Sequence, residues 1–277
     1  MLVTLNKVLQ YAEEHNNAMG AFNTPNLECM LAVIRAAEKL NIPVIISHAE
    51  LHEPVAPLSV IGPVMLLMAQ RAKVPVCVHL DHCEHLDYMQ QALDMGFTGV
   101  MYDGSALPYD ANVVNTRKAV AMAKKTDASV EAEIGTLATR EGGANSGGPV
   151  YTDPDLAKEF VDETGIDALA PSFGTAHGIY KAKPKLDFER VAKIKELVGL
   201  PLVMHGGSGC SEEDYLNAIK NGVRKINYYS YMSREGVFAA KKLLAERDMT
   251  FFHDVADEAA KAMQADVERA MKIFTVQ

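Results

Sequence analysis

Histidines and carboxylates gather at the ends of short apolar runs in this 277-residue chain. His79, Asp81 and His82 close the run that starts at Val76, His177 follows Ala168-Ala170, and His205 comes directly after Leu202-Met204. Neutral imidazole nitrogens are the usual protein ligands of zinc, and three ligands with one open position is the catalytic arrangement. Glu131 and Glu133 add a Glu-x-Glu pair on the run Val130-Glu133. A lone histidine is more often an ordinary hydrogen-bonded residue, and His15, His52, His85 and His253 are read that way. Three histidines at run ends together with the Glu-x-Glu pair point to a metal. Asp81 immediately precedes His82, so the two side chains are expected to point in different directions, one binding and the other handling protons. The carboxylate is left open as ligand, orienter or general base.

Glycines supply a second signal. His177-Gly178 and His205-Gly206-Gly207-Ser208-Gly209 put adaptable backbone right after two of the histidines, where successive amides can form a concavity for an anion. Asn227 and Ser230 follow the last apolar run and add polar side chains that can join such a concavity.

The elements that must position these groups form a repeat. Eight apolar or β-branched runs recur, at Met19-Ala21, Val44-Ser47, Val76-Leu80, Gly99-Met101, Val130-Glu133, Ala168-Ala170, Leu202-Met204 and Lys225-Asn227. Between them Leu27-Leu40, Leu86-Met95, Ala111-Lys125, Pro154-Thr164, Phe188-Val198 and Glu212-Asn221 carry apolar residues at helical spacing. Turn signals at Asn41-Ile-Pro, Met95-Gly, Thr164-Gly and Asn221-Gly end several of the helices. Strand then helix, eight times over, predicts an α/β fold, a single-domain (β/α)8 TIM barrel over residues 1–277. A doubly wound sheet fits less well, because no GxGxxG loop follows the first strand. Residues 247–277, with a helical stretch Val255-Ile273, read as a C-terminal extension packed outside the barrel or against a neighbouring subunit. Thr136 to Thr152, with four glycines and no apolar period, reads as a long loop able to close as a lid.

Composition narrows the partners. Twenty-seven Lys+Arg against 36 Asp+Glu give a net charge of -9, and the absence of a basic block argues against nucleic acid or an anionic membrane surface. The four cysteines, Cys29, Cys77, Cys83 and Cys210, form no CxxC pair, and MLVTLNKVLQ is not a signal peptide, so a cytoplasmic setting is expected. The apolar stretch Val55 to Gln70 is too short to span a bilayer.

HLDHC (79–83), VEAEIG (130–135), GTAHGIY (174–180), LVMHGGSG (202–209) and KIN (225–227) together resemble the class II, zinc-dependent ketose-bisphosphate aldolases. The likeness runs from AFN at 21–23 to the last strand, and is greatest to the tagatose- and fructose-bisphosphate aldolase type. It implies one Zn2+ on His82, His177 and His205, with Glu133 as an alternative ligand. It implies Asp81 for proton transfer at the C4 hydroxyl and Glu141, in the glycine-rich loop, for the proton at the nucleophilic carbon of dihydroxyacetone phosphate. Gly178, Gly206, Gly207, Ser208, Asn227 and Ser230 match phosphate-holding positions, with a monovalent cation, Na+ or K+, often nearby. Asn23 and Ser47 match substrate contacts. A homodimer or homotetramer acting on a phosphorylated sugar is the expectation.

Two features depart from the family pattern. Asn227 is followed by Tyr228, Tyr229, Ser230 and Tyr231, where relatives carry an apolar residue, a small or acidic one, and Thr. The chain also ends in KIFTVQ without a basic tail to grip a distal phosphate, so the aldehyde half is open, with His48 and Tyr229 expected to face it. A metal-dependent hydrolase and a non-catalytic phosphate-binding barrel are the alternatives. The first lacks a His-x-His pair on strand 1, which ends in Asn23; the second is prompted by the tyrosine run.

Overall fold

Eight parallel strands pair in chain order, and the last closes on the first. They are β1 (Met19–Asn23), β2 (Val44–Ala49), β3 (Val76–Cys83), β4 (Gly99–Tyr102), β5 (Ser129–Ile134), β6 (Ala168–Pro171), β7 (Leu202–Met204) and β8 (Val223–Asn227). The computed structural model describes residues 1–135, 137, 150–180 and 183–276. Nearly every strand residue is buried, the pattern of a parallel sheet covered on its outer face by helices and filled inside by side chains.

Helices follow the strands as the apolar spacing predicts: α2 (Leu27–Leu40), α4 (Leu86–Met95), α5 (Tyr109–Ala123), α6 (Pro154–Thr164), α7 (Phe188–Val198) and α8 (Glu212–Lys220). Asn26 caps α2 by accepting from the Cys29 amide at 2.9 Å, and Asn41 ends it in a left-handed conformation. Ser211 and Asp214 form a reciprocal capping box on α8.

Three helices lie beyond those expected, and a fourth bears out the expected C-terminal helical extension. Helix α1 (Leu5–Glu14) precedes the first strand, and its buried Leu5, Val8, Leu9 and Ala12 close the barrel end opposite the strand C-termini. The apolar 55–70 stretch becomes α3 (Leu58–Arg71), and no described helix is long and apolar enough to cross a membrane. Helix α9 (Ser230–Glu246) starts on the residue read as loop, and α10 (Phe252–Phe274) packs against α9 and α2. Buried Tyr228 ties α10 to the barrel, its hydroxyl donating to Asp266 Oδ2 at 2.8 Å.

One local irregularity matters for function. Strand β3 slips register against β4 between Leu80 and Cys83, and His82 there has φ +44°. Such a bulge re-aims a side chain, and a left-handed histidine is costly enough to need a surrounding structure that holds it. Neighbours Asp81 and His82 therefore reach the same site, which corrects the expectation that they point apart.

Candidate active site

Three imidazoles meet above the C-terminal ends of the strands. His82 Nε2 lies 3.1 Å from His177 Nε2 and 2.7 Å from His205 Nδ1. The other ring nitrogens of two of them are engaged: His82 Nδ1 donates to Asp103 Oδ2 at 2.9 Å and His205 Nε2 to Glu131 Oε1 at 2.7 Å. Each carboxylate thereby selects the tautomer whose bare nitrogen faces the centre. Lone pairs aimed at one point repel unless a cation sits between them, so the donor set fits a divalent metal with nitrogen ligands. Glu133 belongs to a second grouping with His82 and Asp103, placing it beside this centre.

Beneath the histidines lies a buried charge network that the sequence reading did not single out. Lys225, fully buried on β8, places its ammonium 2.9 Å from Glu131 Oε2, 2.8 Å from Asn227 Oδ1 and 4.0 Å from Asp81 Oδ1. Burial works against ionisation of Glu131, yet Lys225 and His205 outweigh it and hold its pKa at about 2. Burial opposes the Asp81 charge too, but His82 and Lys225 keep that carboxyl well below the usual range. Asn227 Nδ2 donates to both Asp81 oxygens, at 3.1 and 3.2 Å. Burial pushes His79 down to about 4, which leaves it neutral. The signal for Lys225 was available: with Asn227 it keeps the alternation of an inward strand face.

The glycine loops border the same cleft. Gly178, Gly206, Ser208, Asn227, Tyr229 and Ser230 line it together with Asn23, Asp81 and His177. Gly206 has φ +63°, and a Cβ there would lie 2.4 Å from the Ala176 carbonyl oxygen. Gly207 packs the loop onto β8, where a Cβ would meet the Asn227 carbonyl at 2.8 Å. Ser208 Oγ accepts from the Tyr229 amide at 2.9 Å. Ser230 opens α9, so a helix N-terminus faces the glycine loop. Ser47 is buried on the strand next to Asn23, its hydroxyl without a hydrogen-bond partner among the described residues. Glu141 and most of the expected lid lie outside the described residues.

His48 corrects another expectation. Its ring is fully buried away from the cleft, with Nε2 2.9 Å from the Tyr88 hydroxyl on α4, because its strand position points outward against the helices. The cleft is faced instead by His52, one turn later, with its ring 5.7 Å from Tyr229. The tyrosine run also divides: Tyr228 anchors α10, Tyr229 lines the cleft, and Tyr231 stacks under the Arg234 guanidinium at 3.9 Å.

The family profile described as Fructose-bisphosphate aldolase class-II matches residues 3–277. The chain belongs to the class II fructose-bisphosphate aldolase family. It is 40% identical to a fructose-bisphosphate aldolase of Staphylococcus aureus over 229 residues, 82% of this chain and 80% of that one. It is 36% identical to a 6-phospho-5-dehydro-2-deoxy-D-gluconate aldolase of Halalkalibacterium halodurans, covering 99% of this chain and 96% of the relative. Among solved structures it resembles the YdjI aldolase of Escherichia coli K12 with a TM-score of 0.89 and 34% identity, over 99% of this chain and 97% of that one. This aldolase is therefore a carbon-carbon lyase of a family that uses a divalent metal, typically zinc, on phosphorylated sugars.

Proposed function

We propose that this aldolase reversibly cleaves a ketose 1-phosphate or 1,6-bisphosphate, of tagatose or fructose type, into dihydroxyacetone phosphate and an aldehyde. The observation that carries this reading is the meeting of three imidazoles, two of them oriented by carboxylates, beside the glycine loop and the α9 N-terminus. His82, His177 and His205 would hold the Zn2+, with Glu133 within reach as an alternative ligand. A bound divalent cation supplies Lewis acidity to the oxygens of the three-carbon ketose and so stabilises the charge left by carbon-carbon cleavage.

The chain's own residues do the rest. Asp81, kept ionised by the buried Lys225 ammonium and oriented by Asn227, takes the C4 hydroxyl proton during cleavage. Glu141 returns a proton to the nucleophilic carbon, and its glycine-rich segment keeps water away from that carbon. The amides of Gly178, Gly206, Gly207 and Ser208, with the Ser230 and Asn227 side chains, hold the phosphate, joined by a monovalent cation such as Na+ or K+. Asn23 and Ser47 contact the ketose, and Tyr229 the aldehyde half.

Four unpaired cysteines fit a cytoplasmic setting. Exposed Val237, Phe238, Leu244, Phe251 and Phe252 on and beside α9 and α10 support a homodimer or homotetramer, which light scattering on the purified protein would test. The activity test is zinc-dependent release of dihydroxyacetone phosphate from tagatose and fructose bisphosphates, repeated with Asp81→Ala and His82→Ala. Release by the wild type and loss in both variants is expected. No release from any ketose phosphate by the zinc-loaded wild type would refute the reading.

A further inference from the structure

The turn after β2 is more firmly held than a surface connection needs to be. Glu50 accepts from the Glu84 amide at 2.8 Å and from His85 Nδ1 at 2.6 Å, which ties the start of the turn to the β3–α4 junction. Glu53, three residues on, accepts from the Tyr88 hydroxyl at 2.6 Å and from the Leu58 amide at 2.8 Å. Since Tyr88 donates to Glu53, it accepts from His48 Nε2, and the chain of bonds runs back into β2. Between the two anchors stand Leu51 and His52, and both line the active-site cleft.

His52 is half-buried there, and its Nδ1 is a buried atom with no hydrogen-bond partner among the described residues. A buried polar nitrogen without a partner is costly, and a ligand hydroxyl would remove that cost. Among the described residues lining the cleft none is lysine or arginine. Burial also lowers the basicity of His52, although Asp81 across the cleft partly offsets this, so the ring meets its ligand as a neutral imidazole. Its ring stands 5.7 Å from that of Tyr229 and shares the cleft with Asp81, the carboxylate proposed above to act at the C4 hydroxyl and so at the aldehyde half.

We propose that His52, held by the Glu50 and Glu53 anchors, determines aldehyde specificity by hydrogen-bonding a hydroxyl group of the aldehyde half of the substrate. The proposal rests on the aldolase reading above and names the class of aldehyde: a hydroxyaldehyde recognised through a neutral donor or acceptor.

The test is condensation of dihydroxyacetone phosphate with glyceraldehyde and with propionaldehyde, an aldehyde of similar size without hydroxyls. The readout is the ratio of the two kcat/KM values within each protein, which cancels differences in folded or metal-loaded fraction. The wild type should favour glyceraldehyde, His52→Phe should lower the ratio by roughly tenfold or more, and His52→Gln should retain most of it. His52→Ala serves the same purpose if the phenylalanine variant does not fold. A ratio unchanged in His52→Phe or His52→Ala would overturn the assignment of His52. Failure of the aldolase reading looks different, because the zinc-loaded wild type would then condense neither aldehyde.

Discussion

The two walls of the cleft are made in different ways. The wall proposed to hold the metal and the phosphate comes from the ends of β3, β5, β7 and β8, where His82, Glu131, His205 and Lys225 are buried and each is fixed by a charged or polar partner. The opposite wall is a short turn over 50–53, partly exposed and held by carboxylates reaching to neighbouring loops. Strands of a closed barrel move together or not at all, whereas a turn anchored at two points can change its sequence without disturbing the sheet. On the proposed function, the metal chemistry belongs to the first wall and substrate choice to the second.

The largest contrast is expected between His205→Ala and His52→Phe. Removing a proposed metal ligand should lower kcat/KM on the order of a thousandfold or more and release bound zinc. The turn variant should keep its zinc, and elemental analysis of the two purified proteins checks this. If His205→Ala retained full zinc, the division between the walls would break.

Stability should divide in the same way. Lys225→Met leaves the Glu131 carboxylate buried without its ammonium partner, and should cost about 3–5 kcal/mol in denaturant unfolding. Tyr88→Phe removes one hydroxyl that links Glu53 and His48, and should cost only about 1 kcal/mol. Comparable losses in the two variants would mean that the turn is as integral to the fold as the strand network.

Acid tests the support of the turn separately. Burial lowers His48 to about 4 from its ordinary 6.5, with a further push from His52, so folding favours the neutral ring. The unfolded chain takes up the proton first as pH falls. The stabilisation from His48 is therefore complete above pH 6.5 and is lost as pH drops towards 4. His79 makes the same contribution from inside the barrel. Metal-free protein should lose several degrees of Tm over this window, and His48→Gln should lose less. An identical slope in the variant would remove His48 from the account.

Much of the barrel is legible in the sequence because its signals are local. Apolar runs mark the strands, and Asn41, Gly96 and Gly165 stop helices where left-handed backbone is needed. The histidines and glycines of the first wall are legible for a related reason, since each sits at the end of a run. What escaped depends on distant partners or on local distortion. Asp103 acquires its role only when β4 brings it to His82, and Lys225 only when the barrel closes β8 against the side chains of β3 and β5. The bulge at Asp81-His82 breaks the alternation on which the sequence reading depended. His48 and His52 exchanged expected places because outward or inward facing at a strand end turns on register, and a polar turn carries no period.

The measurement that bears most directly on the first wall needs no aldehyde. Dihydroxyacetone phosphate in deuterated water, followed by NMR, reports exchange of the proton on its nucleophilic carbon. The zinc-loaded protein should exchange it stereospecifically, the chelated protein should not, and restored zinc should return the exchange. Equal exchange with and without metal, or none in either state, would contradict the assignment of His82, His177 and His205 to a catalytic metal centre.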